Sequence, residues 1–341
     1  MTNAIADEFE RALAALCTEE RQRAIEGGAS GAADELWAQI DALGFSDALV
    51  DEAHGGAGLS LDEAAPLLIA AGEAGMCHPF GETMMVRALL ARAGCRVESG
   101  ALALAQGVLD KDGALVCANV PGAQIASHVL VGAGDSWLLM PRESAEATPG
   151  AYRPQVSASL RWRSAQAAVA RFARGAERAE TIANAVHAAQ MAGTMRRVMA
   201  LSVGYANDRT QFGRPIGRFQ AVQQELAVLA AQAASATTAA RIGCATAEPF
   251  PEPLRAALAK LRASEAAQKV CTVGHAVHGA IGITEEHPLR LYTNRLHEWR
   301  AAPGTATRCA VELGDALIAA ETCTFAEFLR GPLALGVAAP I

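Results

Sequence analysis

The sequence predicts a mainly helical protein in which a small β domain sits between an N-terminal helical domain and a C-terminal helical bundle. Three observations predict it. Hydrophobic residues make up 51% of the 341 residues and aromatics only 5%. That apolar content, mostly alanine, leucine and valine, favours helices over a β-sandwich. Helical spacing dominates residues 1–100 and 175–341, whereas residues 101–174 break into short apolar runs separated by Gly, Pro, Ser and Asp, the grammar of strands and turns. The length also exceeds the usual size of one hydrophobic core, which suits a three-part division.

The elements follow in order. "DELWAQIDALGF" places Leu36, Ile40 and Leu43 on one helical face, and Gly44 stands where that helix can end. "DEAHGGAGLSLDEAAPLLIAAGEAG" reads as a glycine-rich loop feeding a helix with Ser60 as N-cap. "GALVCANV", "HVLVG", "SWLLM" and "AAVARF" are the strand candidates. Beyond them Ile182, Val186, Ala189, Met195, Val198 and Met199 recur at helical spacing, and long alanine-rich helices are expected over 181–205, 218–245 and 253–280. "EPFPEPLRAALAKL" is a proline-punctuated turn between two helices, with Pro253 suited to a first helical position. The apolar faces of these helices are more extensive than one bundle covers, which predicts a dimer or tetramer with the bundle at the interface.

Several function classes are disfavoured. A net charge of −7 argues against nucleic-acid binding through bulk electrostatics. The eight cysteines, at 17, 77, 95, 117, 244, 271, 309 and 323, form no C-x-x-C pair, so neither a zinc site nor a disulfide framework is expected. "MTNAIADEFERALAAL" lacks the basic and apolar regions of a signal peptide, and charges break the longest apolar runs well short of a membrane span. The expectation is a reduced, cytoplasmic, soluble protein with no metal and no membrane partner.

Two segments carry the candidate chemistry. "NDRTQFGRPIGRFQAVQQEL", residues 207–226, interrupts two alanine-rich helices with three arginines and four glutamines. Arginine supplies a fixed fork for phosphate oxygens. Gly213 permits an unusual turn, Pro215 fixes the chain direction, and Phe212 and Phe219 offer flat apolar surface. Residue types alone leave two readings open: a nucleotide or flavin contact, or a polar helix–helix turn with solvated arginines. The second segment, "HAVHGAIGITEEHPLRLYTNRL", residues 275–296, has Gly279 and Gly282 just after a helical stretch. Its histidines His275, His278 and His287 have no carboxylate or cysteine partner at metal-ligand spacing, so polar or capping roles are expected.

Together, "R-x-Q-F-G-x-P-I-x-x-F-Q-x-x-Q-x-x-L-A" and, some sixty residues on, "H-G-x-I-G-x-T-x-E-H-P-L" strongly resemble the acyl-CoA dehydrogenase family. The N-terminal "LVDEAHGGAGLS" resembles that family's "P-E-x-x-G-G-x-G" loop, with Asp51 where proline is usual. Within the family, "GITEEHPLRLY" is closest to short bacterial members found in steroid and other cyclic-substrate degradation. The resemblance implies an N-terminal helical domain, a small central β domain and a C-terminal four-helix bundle that mediates tetramer formation. It also implies FAD held between subunits, an acyl-CoA substrate and an electron-transfer acceptor protein. Carried over by position, Arg209, Gln211, Phe212, Phe219 and Gln220 are the FAD candidates on one side, with Arg209 serving the flavin nucleotide of the adjacent protomer. Gly279 and Gly282 are candidates on the other side, where backbone approaches the adenosine diphosphate.

The sequence also departs from the family. No "T-E-P-x-x-G-S-D" segment is recognisable in the shortened β region, and Ala276 and Ala280 replace the usual glutamine and second glycine. The common catalytic glutamate precedes a Gly-Thr pair about fifteen residues after the "E-x-P" proline. Counting from Pro288 reaches Pro303, followed by Gly304 and Thr305. The alternative base position, about 26 residues before the R-x-Q-F-G arginine, is Ala183, beside Asn184. Neither Pro303 nor Ala183 is a base, and the nearest ionisable groups in sequence are Glu180 and Glu298. Four functions therefore compete: an acyl-CoA dehydrogenase with an unidentified base, an FAD-binding scaffold subunit of a heteromeric dehydrogenase, a different flavin chemistry on the same fold, and a flavin-free helical interaction protein.

Overall fold

The computed structural model describes residues 2–96, 100–150, 156–320 and 324–331; Cys323 lies outside them. The N-terminal part is built from α1 (Thr2–Leu16), α2 (Glu19–Glu26), α3 (Ala32–Asp41), α4 (Leu61–Glu73) and α5 (Phe80–Arg92). Ser60 caps α4 as its sequence suggests: its hydroxyl accepts from the Glu63 N–H, and the Glu63 carboxylate returns the bond to the Ser60 N–H. The reading of "DELWAQIDALGF" needs correction at its end. Leu36 and Ile40 are buried, but α3 stops at Asp41, and Leu43 is an exposed residue of the following turn, which Gly44 closes at φ +80°.

The strands form two four-stranded sheets sharing one core. In the first, β1 (Leu102–Gln106) lies parallel to β4 (His128–Ala133), which continues antiparallel into β5 (Ser136–Pro141) and β8 (Ala170–Ala173). In the second, β2 (Val108–Leu109), β3 (Leu115–Val120), β7 (Ala158–Trp162) and β6 (Glu146–Pro149) are antiparallel neighbours in that order. Leu115, Cys117 and Leu160 of one sheet meet Val129, Val131 and Met140 of the other. The four apolar runs expected to be strands became β3, β4, β5 and β8, while β1, β2, β6 and β7 were not among them. In "LALAQ" the first four residues of β1 are all buried, so no polar alternation marks the strand.

Three long helices follow: α6 (Ala179–Asp208), α7 (Gln220–Cys244) and α8 (Pro253–His278), with Pro253 in the first turn. They pack on one another along their lengths, and α9 (Leu289–Ala301) and α10 (Ala306–Ala319) close around α6 and α8. A short α11 (Phe325–Arg330) ends the described chain. The N-terminal helices join this bundle at a backbone-to-backbone crossing of α4 and α6. A Cβ on Gly72 would strike the Gln190 carbonyl, and one on Gly193 would strike that of Ile69. The Thr194 hydroxyl seals the crossing by donating to Gly72 O at 2.8 Å. Among the described residues no helix is long and apolar enough to cross a membrane.

Candidate cofactor and catalytic site

The polar segment that interrupts the helices is a β-hairpin on the end of the bundle. After α6 the chain forms β9 (Thr210–Gln211) and β10 (Arg214–Pro215), joined by Phe212 and Gly213 at φ +51° and +77°. Two consecutive positive φ angles suit a tight two-residue turn, which explains the glycine and marks Phe212 as strained. Phe212 is 92% exposed and meets Phe219 edge-on, while Arg214 lies over the Phe219 ring at 4.2 Å. Arg209, Gln211 and Gln220 are exposed beside it. Because α6 and α8 run parallel, the Gly279–Ile283 turn after α8 reaches this same end, where Tyr205 stacks on His278 at 4.6 Å. Gly279, at φ +64°, has open space on its Cβ side. Gly282 behaves differently: it is buried, and a Cβ there would press within 3.0 Å of His278 and Leu289, so internal packing already requires it.

The histidines belong to this end too. His278 lies 4.5 Å, ring to ring, from His287, and its Nδ1–H donates to Gly274 O. Burial pushes the pKa of His275, His278 and His287 downward, so all three are biased toward neutrality. Among the described residues no group of His, Cys, Asp and Glu has metal-holding geometry.

The positions where the resemblance places a base lie at the opposite end, where the residues beside them touch. The Ala302–Thr305 turn packs onto the first turns of α6, with Gly304, at φ +83°, directly against Asn184: a Cβ on it would collide with Asn184 Oδ1. Asn184 is buried, and that oxygen has no hydrogen-bond partner. Pro303 is exposed and Ala183 half-buried. Proline offers neither a side-chain base nor a backbone N–H. Glu180 is engaged with Arg308 at 3.5 Å. Glu298, on the last turn of α9, faces inward at 2% exposure, and burial pushes its carboxyl up to about 7.

Three features of this end were missed by sequence reasoning. Lys260 of α8 is fully buried and donates to Gly304 O at 3.0 Å from beneath the turn. Burial lowers its pKa from 10.5 to about 8. Asn119, at φ +46° in an irregular stretch of β3, donates through its side chain to Ala301 O at 3.2 Å, tying the β domain to the same turn. Below it the buried His187 Nε2–H donates to Glu82 Oε1 at 2.9 Å, with burial pulling the imidazole pKa down. Charged residues on alanine-rich helices read in sequence as a solvated face, and these pairings link residues up to 182 positions apart.

The two ends are far apart within one chain. Ala183 and Asp208 are 25 residues apart on α6, about 38 Å at 1.5 Å per residue. The residues at the hairpin end suit a nucleotide: arginine forks, an exposed aromatic face and an open glycine turn. They cannot serve the Pro303 end of the same chain.

Comparison with known proteins identifies the family. Residues 174–307 match the family model described as the acyl-CoA dehydrogenase C-terminal domain. Acyl-CoA dehydrogenase IpdE2 of Mycobacterium tuberculosis is 34% identical over 284 residues, spanning 81% of this chain and 84% of that protein. Among solved structures, the Tcur3481-Tcur3483 steroid ACAD variant superposes with a TM-score of 0.77 at 23% identity, covering 94% of this chain and 99% of that one. The ChsE4-ChsE5 complex from Mycobacterium tuberculosis gives 0.75 at 23% identity, with 95% and 98% covered. With a relative of that identity matched over most of both chains, and the expected helical–β–helical architecture in place, the chain belongs to the FAD-dependent acyl-CoA dehydrogenase family.

Proposed function

We propose that this chain is an FAD-binding subunit of a heteromeric acyl-CoA dehydrogenase, in which a second subunit of the same family supplies the base. One observation carries the reading: Gly304 and Asn184, the residues next to the two base positions, are in contact, and neither Pro303 nor Ala183 is a carboxylate. Bound FAD supplies the hydride acceptor for α,β-dehydrogenation of an acyl-CoA thioester. The matching proton abstraction needs a positioned base, whose loss costs a factor of about 10²–10⁴. Here Pro303 and Ala183 cannot accept a proton, Glu180 is tied to Arg308, and Glu298 is turned into the interior.

The part this chain plays is binding. Arg209, Gln211, Phe212, Phe219 and Gln220 present their groups outward from the hairpin, and the Gly279 turn lies beside them. Arg209 would hold phosphate or ribose of FAD, and since about 38 Å separates this end from the chain's own turn at Pro303, the groups facing the reacting part of that cofactor would come from a neighbouring subunit. The substrate is a CoA thioester of a steroid or other cyclic acid. That assignment is supported by the "GITEEHPLRLY" resemblance and by likeness to a structure titled a steroid ACAD. A heteromer is supported by likeness to the ChsE4-ChsE5 complex, and the electrons leave to an acceptor protein.

The test is anaerobic mixing of the FAD-loaded chain with a panel of acyl-CoA thioesters, a steroid one included, while flavin absorbance is followed. The isolated chain is expected to bleach slowly or not at all, and to bleach rapidly once a glutamate-bearing family member is added. Pro303→Glu is expected to raise the rate of the isolated chain. Rapid bleaching by the unmodified chain alone overturns the reading, and Glu180 and Glu298 then become the residues to mutate. Light scattering at micromolar concentration is expected to give a dimer or tetramer; a monodisperse monomer removes the shared FAD site.

A further inference from the structure

Two histidines bracket the turn that follows α8. His278 is the last residue of that helix, and His287 stands two positions ahead of Leu289, where α9 begins. Their rings meet at 4.5 Å and so close the base of the loop from Gly279 to Glu286. Tyr205 of α6 joins them, stacked on His278 at 4.6 Å and edge-on to His287 at 5.9 Å. Gly282 is packed inside this frame: a Cβ on it would lie 3.0 Å from both His278 and Leu289. One hydrogen bond fastens the frame to α9. The Leu289 N–H, a donor of the kind that a helix start leaves without an intrahelical partner, donates to His287 Nδ1 at 3.1 Å.

A backbone N–H can only donate, so this bond requires Nδ1 to be free of a proton, and the neutral ring then carries its hydrogen on Nε2. An imidazolium has a hydrogen on both nitrogens, and its Nδ1–H would face the Leu289 N–H donor to donor. We propose that His287 is a positioning residue of the nucleotide site, holding the Gly279–Glu286 loop closed while its imidazole is neutral and releasing it on protonation. The inference rests on the reading that FAD lies against the Gly279 turn, and it adds a proton dependence to that site. A protonated ring has to turn away from Leu289, which undoes its contacts with His278 and Tyr205 and leaves the first turn of α9 uncapped. Gly279 is then no longer held beside the hairpin that carries Arg209.

The surroundings of the ring oppose a charge there. Among the described residues no carboxylate lies within ion-pair distance of His287: Glu285 turns to Arg290 at 3.5 Å, and Glu286 is exposed. From other elements the ring is faced by His278 of α8, with His275 one turn before it, by Tyr205 of α6 and by Arg23 of α2. Burial lowers the His287 pKa from its ordinary 6.5, and His278 and Arg23 push it the same way. An imidazole held below that value in the closed loop takes its proton more readily in the open one. The closed form is therefore favoured above pH 6.5 and lost as the pH falls below it.

The experiment measures two quantities on the full chain near pH 7.5 and near pH 5.5: the FAD dissociation constant by flavin fluorescence, and deuterium uptake of peptides spanning 279–288 in the absence of FAD. Wild type, His287→Asn and His287→Leu are compared. Asparagine bonds the backbone N–H two residues on, as an Asx turn does, and does not titrate; leucine offers no acceptor. In wild type the dissociation constant is expected to rise about tenfold at the lower pH, with loop uptake there faster than in His287→Asn. His287→Asn is expected to give the same dissociation constant at both pH values, and His287→Leu weak binding at both. A pH dependence retained in His287→Asn, or equal loop uptake in wild type and His287→Asn near pH 5.5, overturns the proposal. Arg209→Ala, measured near pH 7.5, separates the two readings. FAD lost from that variant while wild-type affinity is independent of pH overturns the role of His287 alone; FAD retained by it overturns the nucleotide site and this proposal with it.

Discussion

Replacing Lys260 with methionine is expected to leave stability at pH 7 unchanged or to raise it, and to abolish a rise in stability above pH 8. The side chain is fully buried, and its ammonium donates to Gly304 O. Burial lowers its pKa from 10.5 to about 8, so holding the charge inside costs about 3 kcal/mol at 1.36 kcal/mol per pH unit. Methionine of similar length removes that cost but leaves the Gly304 carbonyl short of a donor, a loss of about 1–3 kcal/mol. The Cys309 thiol, 3.4 Å from the same oxygen, places the loss toward the lower end. The net expectation at pH 7 is a gain of about 0–2 kcal/mol. The pH dependence separates the contributions. Below pH 8 native and unfolded wild type both carry the proton, so the full cost is present. Between 8 and 10.5 the unfolded chain keeps its proton while the native protein sheds it, so wild-type stability rises with pH, by about 2 kcal/mol at pH 9.5. The methionine variant lacks this rise. Denaturant unfolding of both proteins at pH 7 and 9.5 measures it. A difference between them that is the same at both pH values refutes the claim that the ammonium is desolvated. A loss above about 3 kcal/mol at pH 7 shows instead that the charge is net stabilising where it sits.

Two further perturbations probe the ends of the bundle. Gly304→Ala meets both a left-handed backbone and the Asn184 side chain; a loss of at least about 2 kcal/mol is expected, partly restored by adding Asn184→Gly, and an unchanged melting temperature would show that the turn does not rest on α6. Arg209→Ala is expected to release FAD while leaving the helical circular dichroism intact, because the side chain is exposed at the end of α6; unchanged flavin occupancy would refute its assignment.

Features written in local residue order were legible in the sequence. Ser60 with Glu63, Pro253 and the three alanine-rich helices all declare themselves within a few residues of where they act, since caps and helical spacing are short-range. The hairpin after α6 was legible as an interruption because Gly213 and Pro215 break a helix from within. The first four residues of β1 are all buried, and a strand without a polar face leaves no alternation to read. Lys260, Glu82, His187 and Arg295 escaped notice for a related reason. Their burial depends on partners from other elements, and a lone charge on an alanine-rich helix looks the same whether it faces water or a carbonyl. Pro303 and Ala183 could each be named from resemblance as base positions, but that Gly304 rests on Asn184 required the fold.

The glycine crossing of α4 and α6 has a consequence for how the molecule comes apart. With no side chain between the two backbones at Gly72 and Gly193, these helices cannot separate slightly and repack; the contact is either made or lost. The first hundred residues, which read as a unit of their own, are therefore expected to show no folding transition separate from that of the bundle. They are expected to melt together with the bundle in calorimetry, and a fragment ending near residue 100, which exposes the surface α6 had covered, is expected to be cut readily by proteases.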